Sequence, residues 1–315
     1  MIIVDAYNLF TRHYVAHPGM NKNGEQIGGV VGFFNNLMRL VERANPEKVY
    51  VIWEGGGSKR KRDLYPQYKK GSRPASLNRY YDDIPDTLQN RNYQIKVLVA
   101  LLRKFGITQI YVDGAEADDA IGYMVKYKLR SKNKIIVSSD HDFYQLINKD
   151  TILWSPTLKS FVNDTKVLER FNTHPNNFCL AKCISGDKSD NIPGVKGVSF
   201  KTLSKYFPKF AQEEDYNLDQ FFEDAKKLSE TKKLKFLREI NKKSTQDLIR
   251  RNWKLVHLDV NNIARYQTKK MDEKIENDVQ TIDNIGAHKL LNENGIVSID
   301  LLKAKILFKN VKSRR

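Results

Sequence analysis

Four short apolar runs in the first half of the chain each stop at or shortly before a carboxylate. Ile2 to Val4 end at Asp5, Val49 to Trp53 end at Glu54, Ile107 to Val112 precede Glu116, and Lys134 to Ser138 precede Asp140. Runs this short, rich in branched and aromatic residues, are those of buried strands. Between them lie longer stretches with apolar residues at helical spacing, at about Val30 to Ala44, Tyr93 to Phe105 and Ala117 to Leu129. Strand and helix in alternation predict an α/β fold, a mostly parallel central sheet flanked by helices. In such sheets, sites collect at the carboxyl ends of strands, so the recurring acid has one meeting place.

This α/β part is expected to end near residue 180. From about Asp187 the pattern becomes helical and strongly charged, with amphipathic stretches at Leu218 to Leu228 and Lys232 to Ile240. That predicts a mainly α region over about 181–315, packed against the first rather than tethered to it. Beyond about Thr245 the pattern says little; RNWKLVHLDV reads as a helix running into a strand or loop.

Composition narrows the partner. Fifty-four Lys and Arg against thirty-seven Asp and Glu leave a formal charge of +17, which points to a polyanionic partner, a generic basic surface being the plain alternative. The opening MIIVDAYNLF lacks a basic leader and carries Asp5 in its apolar run, so it does not read as a signal peptide. No window is long enough to span a membrane, and no membrane partner is expected. Cys179 and Cys183, four apart in a helical-looking stretch, suit neither a disulfide framework nor a zinc site. They are expected as buried thiols in a reducing cytoplasm, that of a host if the protein is viral.

The acids that matter are Asp5, Glu54, Glu116, Asp118, Asp119, Asp140, Asp142, Asp187 and Asp190, drawn from five separated segments. Helix capping alone could account for the EADDAIG trio, where negative charge favours the helix dipole. If all five segments converge, however, their carboxylates repel unless Arg, Lys or bound cations neutralise them. Oxygen donors without a Cys or His cluster select hard ions such as Mg²⁺ or Mn²⁺. Only His141 among the histidines lies within these segments, and it is given no ligand role. Two such ions about 4 Å apart suit in-line displacement at phosphorus, with a metal-activated water in place of a Ser, Cys or His nucleophile.

After Glu54 comes GGGSKRKRDLYPQYKKGSRP, in which Lys59, Arg60, Lys61, Arg62, Lys69, Lys70 and Arg73 surround Tyr65 and Tyr68. Basic residues interleaved with aromatics suit single-stranded nucleic acid, cations following phosphates while rings stack on bases. A solvated loop is the plain alternative. The connection, from about Gly55 to Gln89, is far longer than most crossovers, and loops of that size tend to carry function. The segment GDKSDNIPGVKGVSFKT, Gly186 to Thr202, contains the turn Gly194-Val195-Lys196-Gly197, with a helix expected to start at Ser199. A turn of this kind can bring backbone N–H groups to a phosphate, with Lys196, Ser199 and Lys201 nearby, and grip duplex without reading sequence.

VDAYNL, EADDAIG, SSDHDFYQL and GDKSDNIPGVKG, in that order, resemble the 5′-nuclease family: bacteriophage 5′-3′ exonucleases, the nuclease domain of bacterial DNA polymerase I, and flap endonucleases. The similarity covers roughly residues 1–210. It implies a PIN-like core with a helical arch at about 55–90, and a helix-three-turn-helix at Ser185 to Tyr206 that commonly binds a monovalent ion such as K⁺. It implies that the nine acids hold two divalent ions. It also implies that Tyr65, Tyr68 and Lys69 lie in the arch, with Lys69 as the cation near the scissile phosphate, Lys61 as a second candidate, and Arg12 near the active site. Glu54 departs from the pattern, since the family usually has Asp after the second strand. With no polymerase region following, the chain resembles the stand-alone, phage-like members.

The expected activity is therefore a structure-specific 5′ nuclease acting on 5′ flaps and ends of duplex DNA or RNA/DNA hybrid, in primer removal or repair. It is expected as a monomer, with replication proteins such as a polymerase or single-strand-binding protein as partners. A PIN-like RNA-directed nuclease needs the same acids but not the hairpin after Gly186. A non-catalytic branched-DNA binding protein would retain the acids only for folding.

Overall fold

The computed structural model describes residues 1–71, 87–277 and 281–312. In chain order, β1 (Ile2–Asp5) is followed by α1 (Ala6–Ala16), α2 (Gly28–Ala44), β2 (Val49–Gly55), α3 (Lys59–Leu64), α4 (Leu88–Lys104), β3 (Thr108–Asp113), α5 (Ala117–Tyr123), β4 (Lys134–Val137), β5 (Thr151–Ser155), β6 (Ser160–Val162), α6 (Asp164–Phe171) and α7 (Pro175–Ser185). A small hairpin, β7 (Gly186–Asp187) and β8 (Ile192–Pro193), then leads into α8 (Phe200–Tyr206), α9 (Leu218–Thr231), α10 (Lys235–Ile240), α11 (Lys243–Val256), α12 (Arg265–Asn277), α13 (Asn284–Glu293) and α14 (Leu301–Lys312).

The first six strands form one sheet in the order β3-β2-β1-β4-β5-β6, parallel except for the β5–β6 pair. Successive crossovers build outward from β1 to β3 and then return to place β4 on its other side. The strand order therefore reverses between β1 and β4, where a crevice opens at the carboxyl ends. Both faces are covered, which is why the strands read as continuous apolar runs. Ile2, Val4, Val49 and Val51 enter one core with Leu9, Phe10, Phe34 and Leu98, while Ile3, Tyr50 and Ile52 enter the other with Ile121, Phe143 and Leu153. Gly55 lets β2 run close to β3, since a Cβ there would stand 2.0 Å from the Val112 carbonyl oxygen.

Three segments differ from the periodicity. Ala6–Ala16 has few strong helix formers, yet folds as α1 because Asp5 caps it and Leu9, Phe10 and Tyr14 pack on the sheet. The stretch expected as one helix from Ala117 stops at Tyr123 and closes with a π turn, Met124–Lys128. The helix expected from Lys232 begins at Lys235.

A third core joins α7 through α11, with Leu180, Ile184, Phe221, Ile249 and Leu255 fully enclosed. The final helices return to the sheet. Met271 and Ile275 of α12 complete one of its cores, and Leu291 and Phe308 complete the other, Phe308 lying 5.8 and 5.4 Å from the rings of Phe34 and Phe105. The helices beyond residue 180 thus supply residues to both cores of the sheet as well as to the third. RNWKLVHLDV runs from helix into loop, with α11 ending at Val256. Cys179 and Cys183 are buried and unbridged, their Sγ atoms 4.0 Å apart. No helix among the described residues is long and apolar enough to cross a membrane.

Candidate active site

At the β1–β4 crevice, Asp5 ends its strand and caps α1, accepting from the Asn8 N–H at 3.2 Å and from Ser138 Oγ at 3.0 Å. Asp140 stands just beyond β4 and accepts from the Asp142 N–H at 2.8 Å, which opens a 3₁₀ turn, His141–Leu146, and aims Asp142 inward. Asp118 lies in the first turn of α5. Two sets of carboxylate oxygens result, Asp118 with Asp140 and Asp142, and Asp142 with Asp187 and Asp190, each set lying within 4.8 Å. Asp142 belongs to both. Asp5, Glu54, Asp118 and Asp140 face a cavity of about 710 Å³ that Arg12 and Lys69 also line.

Burial, with Asp140 adding repulsion, pushes Asp5 up to about 7. Asp142 is pushed up to about 7 by burial against the pull of Lys182. Burial also raises Asp118, Asp190 and Glu54. Oxygen donors whose ionised forms want counter-charge fit hard divalent ions.

Glu116 and Asp119 belong to neither set. The Lys61 ammonium lies 2.8 Å from Glu116 and 2.9 Å from Asp119, and all three residues are essentially inaccessible. Glu116 also accepts from the Tyr68 hydroxyl at 2.9 Å and from Lys69 at 3.1 Å. Burial alone would raise Glu116, but Lys61 and Lys69 outweigh it and hold the carboxyl at about 2. Asp119 accepts from Asn262 Nδ2 at 2.8 Å.

Two expectations change here. Lys61 is sealed in a buried ion cluster, where its charge is neutralised by two acids, so it is not a free cation for phosphate. Tyr68 is 5% exposed and its hydroxyl serves Glu116, so its ring is not offered to a base. Tyr65 is covered by Arg251, whose guanidinium sits 4.0 Å from the ring centre. Lys69 remains at the cavity with its backbone at φ 52°, a left-handed conformation uncommon for a residue with a Cβ. Its N–H donates to the Asp190 carbonyl at 3.0 Å, tying this segment to the β7–β8 hairpin. Lys70 is exposed, and Arg73 lies outside the described residues. Arg12 donates to Thr157 Oγ1 at 3.0 Å from the cavity rim.

The hairpin needs its glycines. A Cβ on Gly194 would stand 2.1 Å from the Ser185 carbonyl, and Gly197 turns at φ 82°. Ser199 caps α8 by accepting from the Thr202 N–H at 3.2 Å, as the sequence predicts, and Lys196, Ser199 and Lys201 are exposed on this face.

Sequence reading missed Lys182. It projects from α7 into contact with Asp142 and to 2.7 Å from Asp187. Its signal was present: a lone lysine in the apolar run FCLAKCI, five residues before Asp187, is a buried charge in need of a partner.

An α/β sheet with two linked sets of acid oxygens at its switch point is a frame that can hold divalent ions. A model of the 5'-3' exonuclease N-terminal resolvase-like domain matches residues 1–172, and the chain belongs to that family. A 5'-3' exonuclease of Buchnera aphidicola (Schizaphis graminum) is 29% identical over 67% of this chain and 70% of its own length. DNA polymerase I of Caldicellulosiruptor bescii is 29% identical over 75% of this chain, but the match spans only 28% of that polymerase. Among solved structures, the bacteriophage T5 flap endonuclease in a pseudo-enzyme-product complex with DNA and metal ions shares the fold. Its TM-score is 0.62 at 20% identity, covering 93% of this chain and 98% of that one.

Proposed function

We propose that the chain is a structure-specific 5′ nuclease that hydrolyses phosphodiesters where duplex DNA or an RNA/DNA hybrid meets a single-stranded 5′ end. The observation that carries this is Asp142, shared by two sets of acid oxygens directly beside a glycine-turned hairpin. Asp118, Asp140 and Asp142 would hold one divalent ion, Mg²⁺ or Mn²⁺, and Asp142, Asp187 and Asp190 a second, with Asp5 and Glu54 orienting water around them. When bound, such ions neutralise charge on the attacked phosphate and acidify a water. Lys69 and Arg12, at the same cavity, hold the phosphate from the other side. Lys70, Lys196, Lys201 and the Gly194–Gly197 turn grip the duplex backbone, and carbonyl oxygens of this hairpin suit a monovalent ion such as K⁺.

The exposed hairpin beside the acids favours this reading over an RNA-directed nuclease, and Asp118 and Asp140, which make no ion pair among the described residues, favour it over a non-catalytic DNA-binding protein. Primer removal or repair in the cytoplasm, as a monomer working with replication proteins, is the setting that suits it. The test is to map products from an end-labelled 5′-flap DNA, the matched RNA/DNA hybrid and an unstructured RNA, with and without Mg²⁺. Mg²⁺-dependent cleavage near the flap junction is expected. Preferential cutting of the unstructured RNA would overturn the reading.

A further inference from the structure

Lys61, Lys69 and Lys182 pair with acids at this site, and the two buried ones, Lys61 and Lys182, differ in whether they can leave. Lys61 is 2% exposed, its helix is capped by Ser58, and its partners Glu116 and Asp119 stand outside both oxygen sets. Lys182 instead contacts Asp142 and Asp187, two of the three acids of the second set. It also borders an open cavity of about 450 Å³, with His141, Ser189 and Phe200 on its walls. An ammonium on the same two carboxylates as a divalent ion would face strong like-charge repulsion at a few ångströms. One of the two must give way, and the cavity offers the lysine somewhere to go.

We propose that Lys182 is a displaceable counter-ion that holds the second acid set together in the ion-free protein and competes with a divalent ion for it. This rests on the two-ion reading above and adds an order of loading. The set of Asp118, Asp140 and Asp142 fills first, and the second set fills only at higher ion concentration, as Lys182 swings into the cavity. Lys182 is in this sense a positioning residue: it sets when the second ion enters.

The test is calorimetric titration of the DNA-free full chain with Ca²⁺, comparing the unaltered protein with Lys182→Gln. The unaltered protein should take up one ion tightly and a second weakly. In Lys182→Gln the second ion should bind at least about tenfold more tightly, the scale expected when one close like charge is removed. Equal or weaker binding of the second ion overturns the proposal and leaves the two-ion reading standing, whereas uptake of no ion by either protein overturns both. A measurement on the unaltered chain guards against a variant that fails to fold. Reductive methylation of lysines, read by mass spectrometry, should find Lys182 protected without Ca²⁺ and reactive at saturating Ca²⁺. Protection unchanged by Ca²⁺ would equally overturn the displacement.

Discussion

Replacing Lys61 by Met separates the structural role of this residue from the arch role its sequence suggests. Its ammonium is 2.8 Å from Glu116 and 2.9 Å from Asp119, with side chains 2%, 3% and 0% exposed. Losing one member of a buried ion cluster typically costs about 3–5 kcal/mol, because charge is left without compensation. Here the loss falls mainly on Asp119. Glu116 keeps Lys69 and Tyr68, but among the described residues Asp119 keeps only the Asn262 amide as a side-chain hydrogen-bond partner. Lys61→Met should therefore destabilise by about 3–5 kcal/mol, and Lys61→Met with Asp119→Leu should recover most of that, since apolar replacement of a whole buried pair is often neutral. Burial would lower the Lys61 pKa, but Asp119 and Glu116 outweigh it and raise it, so the ion cluster's contribution is complete below the ordinary lysine value and fades only above it. In the variant, however, Asp119 loses the lysine that pulls its raised pKa down and can relieve its bare charge by taking up a proton, so the penalty should grow with pH between 6 and 9. Urea unfolding followed by tryptophan fluorescence measures it. A loss below about 1 kcal/mol, the scale of a surface ion pair, together with a large drop in turnover, would refute the buried cluster and restore Lys61 to the arch.

Asp140→Asn should reduce cleavage by orders of magnitude while flap binding in Ca²⁺ persists; normal cutting would show that the acid sets are not the metal site. Lys69→Ala should lower turnover more than duplex affinity, because Lys69 faces the acid cavity and not the hairpin surface, and equal losses in both would reassign it to general phosphate binding. Asp5 and Asp142, raised to about 7, disfavour the ion-free folded state as pH climbs from their ordinary values through 7, while His13 and His257, lowered to about 4, favour it as pH climbs through the ordinary histidine range. The two trends oppose each other in the raw Tm, so the informative quantity is the Tm gain from Ca²⁺. That gain should grow between pH 5.5 and 8 as the ion replaces protons on the raised acids, and a gain flat across this range would refute their role as ligands.

The strand-end acids were legible because they sit at the ends of apolar runs, and a parallel sheet with one reversal of strand order has only one crevice for them. Asp5, Asp140 and Asp118 meet there for that reason. The hairpin was legible too, since a Cβ at Gly194 would collide with Ser185 and a residue at φ 82° favours the glycine found at 197. Spacing and composition along the chain thus determined the sheet, the location of the crevice and the kind of ion it suits.

Which charges remain free in that crevice was decided only by the fold. Asp118 and Asp119 are neighbours in EADDAIG, yet one faces the cavity and the other lies buried under Asn262, more than a hundred residues away in sequence. Lys61 and Lys69 share one basic segment, but only Lys69 reaches the acid cavity. Lys182, which the sequence marks only as a lone charge in an apolar run, enters the acid cluster because α7 packs against the turn that carries Asp142. A charge acts through the distance and solvent between it and its partners, and both are properties of the packed chain that no linear spacing records.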